Sequence, residues 1–199
     1  MKRVIFALMM GLPMTALAQD NTWERVETTS TANPDQKYLA GAVPEEGGKV
    51  VFKTTVDAPG KTAQQVYDIA LDYMKKLAKE PNQFEQSRVV LEEPGRQVGA
   101  TLQEWLVFKS TALQLDRTRL LYNLVVDCHD GKADVTISRI NYIYDEERDP
   151  QHYLAEEWIT DKYGLNKKQT KLARVSGKFR RKTIDRKDYL FNKFAELLK

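Results

Sequence analysis

The 199-residue sequence has one cysteine, Cys128, and only two histidines, His129 and His152. A single cysteine cannot form an internal disulfide, so the fold cannot depend on cross-linking. No pair of cysteines or histidines has the spacing of a zinc site, and the acidic run at 145–147 lacks the alternating ligands of a calcium loop. We therefore expect no cofactor and no metal.

Long hydrophobic runs are also absent, since no stretch beyond the N-terminus reaches the ~18 apolar residues that can span a membrane. The N-terminus combines the basic pair Lys2-Arg3, an apolar stretch at 4–12 and small residues at 16–18. This order is typical of a secretory signal peptide, here cleaved after Ala18. The sequence thus predicts a periplasmic or secreted protein without a transmembrane segment. A buried N-terminal helix is the alternative interpretation.

Catalytic motifs are scarce as well. Gly60-Lys61-Thr62 follows a strand and opens a helix, but a phosphate-binding loop needs a glycine where Thr55 stands. The chain has neither a Gly-x-Ser-x-Gly nucleophile elbow nor a Ser-x-x-Lys motif. The sequence favours a non-catalytic protein. It leaves catalysis open, because carboxylates that meet only in space are not visible in the sequence.

Charge is unevenly distributed along the chain. Residues 161–199 hold thirteen Lys and Arg against four Asp and Glu, a net charge of +9, which leaves −8 for residues 19–160. The run Arg180-Arg181-Lys182 lies in this basic segment. Such a segment either binds an anionic partner or neutralises the acidic part of the same fold, and the second interpretation is the more common.

The predicted elements are a strand, a helix, four strands and then helices. The first strand covers 49–56, and a helix follows from a capping box formed by Thr62 and Gln65 and stops at Pro81. Alternating and apolar patterns predict four further strands at 87–93, 97–108, 116–128 and 132–144. Strands followed by helices indicate an α+β fold, here an antiparallel five-stranded sheet with helices packed on one face.

The clearest element is a hairpin around Asp130-Gly131, two residues that tolerate positive φ. Pairing outward from this turn sets three apolar pairs on one face: Cys128 and Ala133, Val126 and Val135, Leu124 and Ile137. Cys128 is therefore predicted to be a small buried residue and not a reactive thiol. Beyond Ser138 the apolar phase shifts to Ile140, which predicts a one-residue bulge.

The region after the hairpin is predicted to be helical. Pro150 suits the first turn of a helix that ends at Gly164. Asn166 resembles the cap of a second helix, Gly177 would kink or divide it, and Thr183 would cap a last amphipathic helix.

The sequence divides into a signal peptide at 1–18, a polar flexible leader at 19–44 and one α+β domain at 45–199. Within that domain the β-α-β4 core covers 45–145 and the C-terminal helices cover 150–199.

Four stretches resemble exported bacterial proteins of unknown function: YLAGAVP (38–44), TALQLDRTR (111–119), AEEWITDKY (155–163) and KFRRKTID (178–185). The resemblance extends from about Tyr38 to the C-terminus. It implies a fold like that of the TATA-binding protein, in β-α-β4-α order, related in shape to helix-grip folds. It implies no catalytic residue. We do not expect DNA binding, because a DNA-binding saddle requires a basic sheet and this sheet belongs to the acidic part of the chain.

The favoured function is a non-catalytic envelope module that binds an unidentified small molecule or envelope protein. A curved sheet closed by a long helix can form a groove, with four aromatic candidates for its surface: Trp105, Tyr142, Tyr144 and Trp158. Core packing is the alternative for these four side chains.

Two further functions stay open. One is a hydrolase of envelope polymers, which would need converging carboxylates in a cleft. The other is binding of an anionic surface or a nucleic acid through the basic helix, although nucleic acid is not a favoured partner outside the cytoplasm. The cations concerned are Arg180, Arg181, Lys182, Arg186 and Lys187.

Overall fold

A large antiparallel sheet with two long helices dominates the computed structural model, which describes residues 34–199. The predicted signal peptide and residues 19–33 of the predicted leader lie outside the described residues. No helix of the described chain is both long and apolar enough to cross a membrane.

The elements begin with a 3-10 helix at Gln36–Tyr38 and a small sheet of β1 (Glu45–Glu46) and β2 (Lys49–Val50). The main sheet contains β3 (Phe52–Asp57), β4 (Arg88–Glu93), β5 (Gln97–Thr111), β6 (Gln114–His129), β7 (Lys132–Tyr144) and β8 (Gln151–Leu154). The helices are α1 (Ala63–Leu77), α2 (Ala155–Trp158), α3 (Asp161–Gly164) and α4 (Ser176–Leu197).

The main sheet has six strands, one more than predicted. Its order is β3-β7-β6-β5-β4, and β8 pairs with the second half of β7, so β3 and β8 share one edge. The additional strand follows Pro150, where the sequence predicted the start of a helix. Proline lacks the N–H that a central strand would need, but it is compatible with the start of an edge strand. The helix begins at Ala155 instead.

The predicted hairpin register is confirmed. Cys128 lies opposite Ala133, and the next two predicted pairs also form. The predicted bulge is present where Arg139 and Ile140 together oppose Tyr122, and Arg139 has a φ of 53°. The bulge accommodates Arg139 as an extra residue, so inward-facing side chains on both halves of β7 still point to the same face of the sheet.

Helices α1 and α4 cover that face. The capping box of Thr62 and Gln65 begins α1 as predicted. Leu124, Val126 and Cys128 are buried in one core together with residues of both helices. Burying a side chain such as leucine or valine contributes roughly 1.5–3 kcal/mol relative to leaving it exposed, so this interface is the main source of stability.

Helix α4 is one continuous helix of 22 residues. Thr183 does not cap it but lies in its middle, where its hydroxyl is 2.7 Å from the hydroxyl of Tyr142. Gly177 lies in the first turn and does not divide the helix. A Cβ at this glycine would be 2.8 Å from Cβ of Leu172, so the glycine allows the start of α4 to contact the preceding loop.

The region between α3 and α4 is a loop and not the capped helix predicted from Asn166. The Asn166 side-chain oxygen accepts hydrogen bonds from the backbone N–H groups of Thr170 and Lys171, and Leu165 forms a bridge with Leu172. An asparagine that satisfies backbone donors in a closed loop competes with helix formation in this way.

A buried ion pair crosses the core between β5 and α4. Both carboxylate oxygens of Glu104 accept from Arg186, at 2.9 and 2.8 Å, and the two residues are 0% and 2% exposed. Glu104 also accepts from Tyr122, Asn82 and Gln83. Burial lowers the pKa of Arg186, but the adjacent Glu104 carboxylate more than offsets this effect and the pKa is raised overall.

A second buried arginine fixes the N-terminal part of the described chain. Arg180 donates to the carbonyl groups of Tyr38, Leu39 and Ile159, and to the Asp161 carboxylate, all within 2.7 Å. Residues 37–39, predicted to belong to a flexible leader, therefore contact α4, and Val43 is buried in the core.

Candidate functional site

One end of the sheet carries a projecting hairpin. Strand β7 ends at Tyr144, opposite Thr118, while β5 and β6 continue beyond this pair. We call residues 107–117 the hairpin arm. Leu113 at its tip is 99% exposed and Leu115 is 54% exposed. Apolar side chains held away from the core in this way are typical of interaction surfaces.

A cleft of about 450 Å³ lies beside the arm, and we call it the arm cleft. Its walls are Trp105, the two exposed leucines, Arg117, Tyr144 and the turn at 145–148. A volume of this size is within the range of sites that bind small molecules or peptide side chains.

The wall at Trp105 is a stack of aromatic and guanidinium groups. The Arg117 guanidinium lies 3.7 Å from the Trp105 ring centre. The ring centre of Phe84, in the segment that pairs with β5, lies 4.9 Å from that of Trp105. Arg119 lies 3.8 Å from the Phe84 ring centre. Arg117 and Arg119 are also paired with Glu147 and Glu146, respectively. These contacts hold the aromatic wall in place before any ligand binds.

A polar cluster forms the floor at the end of β7. The Tyr144 hydroxyl donates to Asp116 at 2.9 Å, and Lys178 donates to Asp116 at 2.7 Å and to Tyr144 at 3.1 Å. Burial lowers the pKa of Lys178, but hydrogen bonds to Asp116 and Tyr144 raise it overall. A lysine that stays protonated is suited to hold an anion.

A second cleft, of about 300 Å³, lies on the other side of this cluster, and we call it the basic cleft. It is lined by Phe108, Leu172, Arg174, Lys178, Arg181 and Lys182, among other residues. The arm cleft is therefore lined by aromatic, apolar, basic and acidic side chains, whereas the basic cleft is lined by basic and apolar ones.

The four aromatic residues predicted for a groove surface have separate locations. Trp105 and Tyr144 line the arm cleft. Tyr142 is 0% exposed and bonded to Thr183, so the surface prediction is wrong for it and core packing is the correct interpretation. Trp158 stacks on Tyr153 at 3.8 Å and lines neither cleft.

The predicted basic surface is also divided. Arg181 and Lys182 line the basic cleft, but Arg180 and Arg186 are buried, so the surface prediction is wrong for these two. Successive helix positions differ by about 100°, so a run of basic residues cannot point to one side. Their pairing with Asp161 and Glu104 supports the interpretation that the basic segment neutralises acidic parts of the same fold.

Several residues of the two clefts were missed in the sequence, among them Leu113, Leu115, Arg117 and Lys178. Predicted strands that stop at 108 and resume at 116 leave the arm as a loop. A leucine in the middle of a predicted turn, where polar residues are usual, was the available signal.

Four carboxylates line the arm cleft, and each is paired with a cation. Asp116, Asp145, Glu146 and Glu147 each form an ion pair with a lysine or an arginine. Within residues 34–199 no group of three or more His, Cys, Asp or Glu side chains could hold a metal ion.

Comparison with known proteins places the fold. A family model described as a domain of unknown function (DUF4468) with TBP-like fold matches residues 52–143. The chain is similar to a crystal structure of a DUF4468 family protein from Bacteroides ovatus, with 42% identity and a TM-score of 0.77 over 84% of this chain and 96% of that chain. A TBP-like protein from Parabacteroides distasonis shares the fold at 20% identity, with a TM-score of 0.65 over 78% and 96% of the two chains. No curated protein matches the chain.

Proposed function

The chain belongs to the DUF4468 family, whose description gives a TBP-like fold and no activity, and on this premise we propose that it is an exported, non-catalytic module that binds an extended segment of a partner protein in the arm cleft. Fold alone does not assign function, so the proposal depends on the surface of this chain.

The observation that carries the proposal is the exposure of Leu113 at the tip of a projecting arm, directly beside a cleft with a fixed aromatic wall. A small molecule held inside the cleft would cover only the cleft-facing part of a side chain that is 99% exposed. A protein surface that covers the arm would bury Leu113 and Leu115 together. Because Leu115 is already about half buried, burial of both side chains contributes roughly 2–4.5 kcal/mol before the costs of association.

The outer edge of the arm favours an extended segment. Segment 82–87 and β4 pair with the outer edge of β5 as far as Trp105. From 107 to 111, no backbone of the described chain pairs with this edge of β5. A peptide in strand conformation can add to such an edge through backbone hydrogen bonds, while its side chains enter the neighbouring cleft. Trp105, Arg117 and the paired carboxylates would then select those side chains.

Export is supported by the order of a basic pair, an apolar stretch and small residues at 1–18, which is typical of a secretory signal peptide. Mass spectrometry of the protein from its native host tests this part separately. We expect a mature chain beginning at Gln19, and a chain that retains the first 18 residues would contradict it.

Site-specific photo-crosslinking tests the binding site. A benzophenone amino acid placed at Leu115, which is 54% exposed, should give one discrete protein adduct in intact cells. Val90 on β4 is the matched control, because it is also apolar and 55% exposed but lies away from the arm. We expect no discrete adduct at Val90. Equal labelling at the two positions, or no adduct at Leu115, would overturn the proposal. Mass spectrometry of the adduct would identify the partner.

A further inference from the structure

The edge of the main sheet that β3 forms has no further strand beside it within residues 34–199. Strand β3 pairs with β7 without a register shift, so this edge is regular. The edge strand on the other side of the sheet, β4, has an irregularity between Val89 and Leu91. A bulged edge resists the addition of another strand, whereas a regular edge can accept one.

Alternate residues of β3 direct their backbone groups to this edge. The N–H group of Ala58 donates to the Gly131 carbonyl, on the β7 side. Because neighbouring residues of an antiparallel strand direct their backbone groups to opposite sides, Lys53, Thr55 and Asp57 direct theirs away from β7. No hydrogen bond within residues 34–199 uses the backbone N–H or C=O groups of these three residues. They are therefore available to a second strand.

The sequence of this edge is complementary to itself in the antiparallel direction. A second copy of β3 centred on Thr55 places Lys53 opposite Asp57 at two symmetrical positions, and Thr55 opposite its own equivalent. Outward-directed residues then face outward-directed residues, so each pair can exchange two backbone hydrogen bonds. Opposite charges at directly paired positions stabilise a sheet, and like charges destabilise it.

The two neighbouring registers are less favourable. If the centre moves one residue towards the start of β3, Asp57 lies opposite Val51, whose N–H group already donates to the Pro44 carbonyl. If it moves one residue towards the end, Lys53 lies opposite Pro59, which has no N–H group to donate. The central register is therefore the one that uses every available backbone group of the edge.

The charged side chains of the edge are accessible to a second copy. Lys53, Thr55 and Asp57 are exposed. Asp57 lies opposite Lys132 of β7 and forms no ion pair within residues 34–199. Lys53 pairs with Glu46 at 2.6 Å, and both side chains are 54% exposed. A pair as exposed as this contributes little to stability, so Lys53 is able to contact a second carboxylate.

We propose that two copies of this chain associate through their β3 edges to form a symmetrical dimer with one continuous antiparallel sheet. Each Asp57 then lies between Lys132 of its own chain and Lys53 of the second copy. A contact between identical edges closes after two copies. Because the two copies run in opposite directions, their hairpin arms lie at opposite ends of the continuous sheet. The inference does not depend on the partner protein of the arm cleft.

Sedimentation equilibrium of the full chain, with the same N-terminus in every variant, measures the association. The pairing is short, so we expect a dissociation constant in the micromolar to millimolar range, and concentrations up to roughly 0.5 mM are needed. Lys53→Asp and Asp57→Lys each place like charges opposite one another at both ends of the pairing. Each should weaken the dimer about tenfold or more.

The double variant K53D with D57K exchanges the two charges, so it should restore the association. Lys79→Asp is the matched control, because it makes the same change of charge as K53D at an exposed position away from the β3 edge. We expect this control to associate like the natural sequence.

A cysteine at the symmetry axis provides a second measurement. Thr55→Cys should form a disulfide-linked dimer on mild oxidation, since directly paired residues have Cα atoms ~5.5 Å apart, within the range of a disulfide. The natural sequence, whose Cys128 is buried, and the exposed control Lys79→Cys should not cross-link.

Four results would each overturn the proposal. They are a chain that stays monomeric, a dimer that K53D does not weaken, a double variant that stays dissociated, and a Thr55→Cys variant that forms no disulfide-linked dimer.

Discussion

The helix-covered interior and the arm end of the sheet contain the same types of residue in opposite environments. In the interior, Arg186 pairs with Glu104, and that carboxylate accepts five hydrogen bonds. At the arm end, Arg117 pairs with Glu147 and covers Trp105, but its side chain remains 25% exposed. The first arrangement leaves nothing for a ligand to contact, whereas the second presents charge and aromatic surface to solvent.

The difference shows that residue type alone does not distinguish an arginine that stabilises the interior from one that a ligand could reach. Access to solvent does distinguish them. A buried charge that loses its partner carries an uncompensated desolvation cost, while an exposed ion pair is worth little to stability. The interior should therefore be sensitive to substitution in measurements of unfolding. The arm end should be sensitive only in measurements of binding.

The largest expected effect is in the interior. Arg186→Met leaves Glu104 buried without its cation and should lower the free energy of unfolding by about 3–5 kcal/mol in urea titrations. The matched change at the arm end is Arg117→Met, which removes a partly exposed ion pair and an aromatic contact and should cost about 1 kcal/mol or less. If the two variants lost similar free energies of unfolding, the proposed difference between the interior and the arm end would be wrong.

A second comparison uses pH. Burial, together with the nearby Asp127 carboxylate, raises the pKa of the Cys128 thiol from 9.0 to about 11. The unfolded chain ionises first, so the thiol's contribution to stability is complete below pH 9 and is lost as pH rises through about 11.

Cys128→Ala is the control for this measurement, since it removes the thiol and leaves other alkaline effects in place. The stability of the natural sequence relative to this variant should fall above pH 9, by on the order of 2 kcal/mol. A difference between the two proteins that stays constant from pH 7 to pH 11 would show that Cys128 is not held in an apolar environment.

The smallest expected effect is at the tip of the arm. Leu113→Ser should change the free energy of unfolding by no more than about 0.5 kcal/mol, because the side chain has no packing to lose. Leu124→Ala in the core should cost about 2–5 kcal/mol in the same urea titrations. A marked loss of stability in Leu113→Ser would mean that the arm packs against the body in solution.

Elements whose contacts are close in sequence were predictable. The hairpin around Asp130-Gly131 was predicted with its register, because the turn fixes the pairing and the alternation fixes the face. The capping box at Thr62 is equally local. Strand β8 was missed, because Pro150 permits the start of a strand or a helix and the choice depends on the edge of β7, which is a tertiary contact.

The candidate site was less accessible to sequence reasoning. Glu104 visibly interrupts an apolar face, but its partner Arg186 is 82 residues away, so nothing local shows that the charge is neutralised. Arg180 and Arg181 look equivalent in a basic run, and only the rotation of α4 against the sheet buries one and exposes the other. Trp105 and Tyr144 were identified as surface candidates, whereas the arm beside them was not.

The bulge in β7 has a consequence for the shape of the sheet. If Arg139 were deleted, the remaining residues would alternate without interruption, with Ile137, Ile140 and Tyr142 still facing the helices. The extra residue is therefore not needed for the apolar pattern, and its left-handed backbone carries a conformational cost. What it supplies is local coiling, which sets the direction of the far halves of β6 and β7 and of the hairpin arm beyond them. Curvature and core composition are thus encoded by separate residues in this strand, so either could change during evolution while the other is kept.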